Sequence, residues 1–347
     1  MWANLTTPVG RAGTVTGLFD SRSDLAKVVR GLPPELGGRL TFHLPLEVQA
    51  LEVAGASDEV IAMRIEQRLP EAFASALIDP PLYRWAEKSY ASEGAALLSS
   101  DVDQRRAAFA EVASLGPGLA GAAFHALIRT GYGALRQDSH EISRGLAYLR
   151  VRRQVLFSRA PSTNSRFEVS LPTPDEFADT SVFDQLDLVA GERSLYRVDG
   201  PEPELPAVET LCKVAFGLVE RNPDSFIAIH TVTGLHALVE MTALLTGRDE
   251  LGGIPDDPLL VPWWRAMSNA LTACVMLVEA TPPSEPSRPY VAYDDLERLV
   301  SASIESCEVH DLKISVALSR LVELGVASAK SALAVGSAKL AATECSA

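Results

Sequence analysis

The stretch "ESCEVHDLKISVALSRL", Glu305 to Leu321, reads as a helix whose apolar positions are Ile314, Ala317, Leu318 and Leu321. His310 and Lys313 flank that arc, and residues three apart on a helix are neighbours, so an imidazole and a primary amine lean toward one region. Lys313 has two readings. It can bury its stem and carry its ammonium to water, with Arg320 on the same flank. Alternatively it is desolvated, which favours the neutral amine; such an amine takes up carbon dioxide to become a carbamate, an anion that a metal ion stabilises. Lysine would then serve as a carboxylate ligand.

Three more histidines sit inside apolar sequence: His43 in "RLTFHLPLEVQAL", His125 in "AAFHALIRTGY" and His230 in "FIAIHTVTGLHAL". Singly, each fits a core histidine satisfied by one hydrogen bond. Together, four imidazoles on four apolar segments suit a metal ion, which satisfies several buried imidazoles at once, as bundle cores do with facing helices. Imidazole suits iron, copper, zinc and nickel alike, so the ligands do not name the metal. His236 follows His230 by six residues, roughly 240° around a helix, and ranks behind as a ligand. His140, in "RQDSHEIS", reads as a helix-start residue near solvent and ranks with it. Asp311 completes an "HD" dipeptide of the kind found in helical metal-dependent phosphohydrolases, but the other histidine and aspartate of that pattern are not convincingly placed. Tyr132, Tyr148, Trp263 and Trp264 are candidates to line an aromatic substrate pocket, against ordinary core filling. Dinucleotide, P-loop, serine-hydrolase and zincin motifs are absent.

The elements that must position these residues are helical. Apolar residues recur with helical period, and strict alternation is nearly absent. "DEVIAMRIEQRL", Asp58 to Leu69, forms a helix that Pro70 is expected to stop; "LAGAAFHALIRTGYGALRQ" continues a helix from the "GPG" at Gly116 to Gly118. Helices follow at Glu141 to Phe157, behind Asn222-Pro223-Asp224, behind Pro262, and at Tyr293 to Ser306. The expectation is an all-α, bundle-like single domain over 1–347, with a long irregular insertion at 158–206 that could act as a lid and holds a short strand candidate, "RFEVSL". Residues 328–347 read as a terminal helix or a frayed tail.

With 347 residues, 47% of them hydrophobic, the chain can bury a sizeable core. The formal charge of -14 would repel a phosphate backbone, so nucleic acid is not expected as a partner. The first thirty residues lack a signal-peptide pattern, no uninterrupted apolar run has membrane-spanning length, and Cys212, Cys274, Cys307 and Cys345 are scattered. These features lead to the expectation of a cytoplasmic protein with reduced thiols and no membrane partner.

Taken in order, "TFHLPLEVQALEVAGAS", "AAFHALIRTGYGAL", "GLAYL", "IHTVTGLHAL" and "HDLKISVAL" resemble the questin oxidase-like proteins over nearly the whole chain. The resemblance implies a non-haem iron oxygenase that uses dioxygen to open a ring of an anthraquinone or related aromatic polyketide, with NADPH a candidate reductant. It also implies the ligand set: His43, His125, His230 and His310, with Lys313 carboxylated. The sequence departs from fungal relatives in "HLPLE", where they tend to carry a further histidine, and in its shorter length. Both bear on substrate identity. The alternatives are a phosphohydrolase of the HD type and a non-catalytic helical binding protein.

Overall fold

The computed structural model describes residues 25, 28–36, 41–74, 77–156, 186, 204–247, 257–279, 292–306 and 308–343. These are predominantly helical, with one two-stranded sheet among them, so the fold is all-α. They fall into two compact units, Met1–Ile78 and Asp79–Ala347, where the sequence reading expects one domain. The expected lid and its strand lie almost wholly outside the described residues, as do Cys307 and Cys345.

In the first unit, β1 (Glu35–Leu36) pairs antiparallel with β2 (Leu77–Ile78), and two helices, α1 (Leu44–Val53) and α2 (Asp58–Ala74), lie between them in the chain. His43 is the residue before α1, half-buried, and its carbonyl accepts from Leu46 and Glu47. Glu47 and Arg64, both nearly inaccessible, form an ion pair at 3.2 Å that fastens α1 to α2; a buried charge needs such a partner. Pro70 does not stop α2, which continues to Ala74. Proline at this position forfeits the bond to the Glu66 carbonyl, but Pro70 is exposed and near the helix end, where water can replace the lost donor.

The second unit runs through α3 (Tyr83–Ser89), α4 (Ala91–Ala96), α5 (Val102–Val112), a 3₁₀ turn (Ala113–Gly118), α6 (His125–Leu135), α7 (Ser139–Val151), α8 (Val208–Arg221), α9 (Phe226–Thr246), α10 (Val261–Glu279), α11 (Leu296–Glu305), α12 (Val309–Glu323) and α13 (Ala329–Ala342). Helix α6 begins only at His125, not directly after "GPG", because a turn intervenes; α13 shows that the C-terminal segment is helical through Ala342. Helix α9 is long and apolar enough to cross a membrane by composition, yet 89% of its apolar window is buried inside the protein. It is apolar all round because it is the central helix of the core.

Three helices set the geometry of the unit. His125 meets His230 and Gly131 meets Ala237, so α6 and α9 run parallel; His230 meets His310 and Glu240 meets Arg320, so α12 runs parallel to α9 as well. Parallel neighbours cannot be joined by short turns, so the contacts bridge sequence separations of 105 and 80 residues. Cys212 and Cys274 are buried as free thiols, and burial pushes both up to about 12.

Helices α6 and α9 approach closely at Gly131, where a Cβ would stand 2.5 Å from Ala237 Cα. Backbone cannot yield as a side chain can. Gly131→Ala is expected to destabilise the protein by about 2 kcal/mol, despite alanine's better helix propensity. Urea unfolding should show a lower midpoint at unchanged slope.

Candidate metal centre

His125 is delivered by a turn that alanine and phenylalanine rarely make. Ala122, Ala123 and Phe124 take φ values of 52°, 51° and 65°, each in the left-handed region, at a cost of about 1–2 kcal/mol per residue. The turn is held at both ends. A Cβ on Gly121 would stand 2.1 Å from the Arg152 carbonyl oxygen, and one on Gly234 would stand 2.9 Å from the Phe124 ring. Glycine at both positions lets the chain seat closely. The turn aims the Ala122 carbonyl back at His125, whose Nδ1 lies 2.6 Å from it.

His230 is the fifth residue of α9, a helix capped by the Ser225 hydroxyl; its Nδ1 lies 2.6 Å from the Phe226 carbonyl. His310 is the second residue of α12. The half-buried carboxylate of Glu308 caps that helix by accepting from the His310 amide at 3.0 Å, and its Oε1 lies 2.7 Å from His310 Nδ1. All three imidazoles thus have an oxygen acceptor at Nδ1. A backbone carbonyl can only accept, so Nδ1 of His125 and of His230 carries the proton and Nε2 is left as a lone pair. Oxygen partners at the far nitrogen are the usual second layer of a histidine metal site.

Those lone pairs converge. Nε2 of His125 and Nε2 of His230 are 2.9 Å apart, and the His230 and His310 ring centroids are 5.2 Å apart. Phe226 stacks on His230 at 3.9 Å and stands edge-on to His310 at 5.4 Å, an apolar wall against the cluster. Lys313 is fully buried, so its amino group does not reach water, and a positive charge on it would count against protonation of all three histidines.

Burial is the main cause that holds His125 and His230 well below the ordinary imidazole range, with Lys313 adding to it in both and His125 adding to it in His230. Burial and then Lys313 lower His310 to about 4. The rings are neutral at pH 7. Two neutral nitrogens facing each other at 2.9 Å repel unless something electropositive lies between them. With a metal–nitrogen distance of about 2.1 Å, ligands at a right angle are about 3.0 Å apart and ligands at the tetrahedral angle about 3.4 Å. The observed spacing is that of two ligands at about a right angle on one metal ion. The N-terminal ends of α6, α9 and α12 share this region, and their partial positive charge favours neutral or anionic ligands over cationic side chains.

The remaining candidates lie elsewhere. His236 is buried with Nε2 3.2 Å from Glu240 Oε1 and its ring edge-on to Tyr132; His140 is exposed in the first turn of α7. The Asp311 carboxylate is fully buried but is engaged by Lys339 at 3.0 Å and by the Thr343 hydroxyl at 2.7 Å, which ties the start of α12 to α13. Tyr148 packs edge-on against Tyr83, and Trp263 against Phe109 with its indole N–H donating to the Ala113 carbonyl. Trp264 is buried one position further along α10. Sequence reasoning singled out those four aromatics and missed Phe226, which lies four residues before His230 on one helix face. It also missed Glu308, whose position two residues before His310 marks it as a helix cap.

The sign of the acid response follows from the lowered imidazoles. In the metal-free protein the unfolded chain takes up protons near pH 6.5 while folded His310 waits until about 4, so stability is full above 6.5 and is lost as pH falls toward 4. His310 accounts for about 3 kcal/mol of that loss. Urea midpoints measured across this range should fall less steeply in His310→Gln than in the natural protein. Comparisons with family models, with curated proteins and with solved structures find no match to this chain.

Proposed function

We propose that the chain is an oxidoreductase, a non-haem iron oxygenase that uses dioxygen to open a ring of a polycyclic aromatic polyketide of the anthraquinone or anthrone kind. The observation that carries the metal part is the 2.9 Å approach of two Nε2 atoms whose Nδ1 partners are backbone carbonyls. Iron and the substrate class come from the resemblance to questin oxidase-like proteins.

His125, His230 and His310 hold the metal through Nε2, and Glu308 keeps the His310 ring in that tautomer. Lys313 joins them as a carbamate: its neutral amine adds to carbon dioxide, a C–N bond forms and one proton leaves. The resulting anion sits where helix N-termini favour negative charge. The resemblance extends the ligand set to His43. Phe226 excludes water from one side of the centre, which strengthens every electrostatic interaction inside it. Iron(II) supplies the capacity to reduce dioxygen. Inserting one oxygen atom beside a ring carbonyl leaves the other to become water, and the two electrons that this needs come from NADPH or from a reduced, phenolic form of the substrate.

Anaerobic iron(II) titration of chelator-free protein tests the reading. One iron per chain is expected, with affinity weakened at least about tenfold in Lys313→Ala and in His230→Ala; His43→Ala tests the extension to the first unit. Natural protein that takes up no iron, or a Lys313→Ala variant with full occupancy and turnover, would refute the proposal. Loss of stability in His125→Ala with no change in metal content would point to a binding protein whose histidines are merely buried.

A further inference from the structure

At the opposite ends of the same three helices lies a cavity of about 320 Å³, within the size range of small-molecule sites. Its polar lining consists of Arg105, Gln137, Glu240 and Arg320, and its apolar walls include Leu135 and Leu244. Glu240 and Arg320 each follow their helix's histidine by ten residues, which places the cavity about 15 Å from the histidine cluster.

The charges in this lining do not cancel. Glu240 is spent within the protein, since Arg320 Nε donates to its Oε1 at 2.8 Å and His236 Nε2 lies 3.2 Å from the same oxygen; Arg320 also pairs with Glu323. Arg105 is different. It is 9% exposed, and its Nη1 donates to the carbonyls of Ser99 at 2.7 Å and Ser100 at 3.2 Å, both neutral acceptors. Its Nε makes no hydrogen bond among the described residues, and no carboxylate there pairs with it. Gly247, the left-handed residue that ends α9 with φ 63°, stands beside Nη2, where a Cβ would lie 3.4 Å away; the absent side chain leaves that edge of the guanidinium uncovered. In a chain of net charge -14, a buried guanidinium that no carboxylate among the described residues pairs with runs against the prevailing field.

We infer that this cavity is a binding site for a small organic carboxylate, anchored by the Arg105 guanidinium and packed by its apolar part against the leucine walls. A guanidinium edge facing a carboxylate makes charge-assisted, directional hydrogen bonds, and a desolvated guanidinium without a counter-charge is costly until an anion arrives. The site stands independently of the metal reading, because it shares no residue with the histidine cluster.

Benzoate and benzamide, which share shape but differ in charge, are suitable probes for calorimetric titration of the full-length protein. Benzoate is expected to bind one per chain and at least about tenfold more tightly than benzamide. Arg105→Gln should bring benzoate down to the level of benzamide. Ala243→Phe, which places a ring in the cavity from a half-buried lining position, should abolish binding of both. His230→Ala should bind benzoate as the natural protein does, which separates this site from carboxylate binding at a metal. Equal affinity for the two probes, no benzoate binding at all, or benzoate binding that survives in folded Ala243→Phe would overturn the inference. The last variant decides the matter if Arg105→Gln does not fold.

Discussion

Two backbone carbonyls decide what His125 and His230 can be. The oxygens of Ala122 and Phe226 accept hydrogen bonds and cannot donate them, so each imidazole must place its proton on Nδ1 and present a bare nitrogen to the other. Everything around the pair works to keep it that way. Burial opposes protonation, a positive charge on Lys313 would oppose it further, and three helix N-termini add positive potential. With their protons fixed on Nδ1 and their Nε2 atoms 2.9 Å apart, the two rings are held as neutral nitrogen donors, the form in which histidine can bind a metal ion.

Holding the two rings in place takes structure from far away. The left-handed run at Ala122, Ala123 and Phe124 survives because the Phe124 ring lies over Gly234 and the chain before it presses on the Arg152 carbonyl. Such local strain persists only where surrounding packing over-determines it, and it concentrates at sites that need an atom in one place. The start of α12 is fixed differently, through the buried Asp311–Lys339 pair and the Thr343 hydroxyl. Breaking one partner of such a pair strands the other in the core, so this contact is a poor place for variation. Asp311, adjacent to a histidine ligand candidate, therefore has a mechanical role that does not require it to touch metal.

Much of this was legible in the sequence and some was not, for physical reasons. Helical periodicity exposed the all-α class, and a one-turn spacing identified His310 and Lys313 as neighbours. The sequence sets His236 apart from His230 by roughly 240°, and in the structure His236 lies against Tyr132 and Glu240. What escaped was long-range in origin. Alanine strongly favours ordinary helix, so nothing in "GAAFH" announces three left-handed residues; the packing of Phe124 against Gly234 and of Gly121 against the Arg152 carbonyl selects them. Pro70 was read as a stop because propensity penalises proline, whereas an exposed position near a helix end tolerates it. Phe226 opens α9 and Glu308 caps α12, and their place beside the cluster shows only once those two helices are known to converge.

The parallel course of α6, α9 and α12 also dictates when the cluster can come into being. Its members are separated by 105 residues between His125 and His230 and by 80 between the Glu240 and Arg320 positions that mark the second helix pair. Contacts of such high sequence separation pay loop-closure entropy before they return any energy, which makes them slow and late to form. On a chain emerging from its N-terminus, the imidazole and amine of α12 arrive after every other member. Until then His125 and His230 stand without their neighbours from α12, so the cluster is completed at the end of folding and cannot nucleate it.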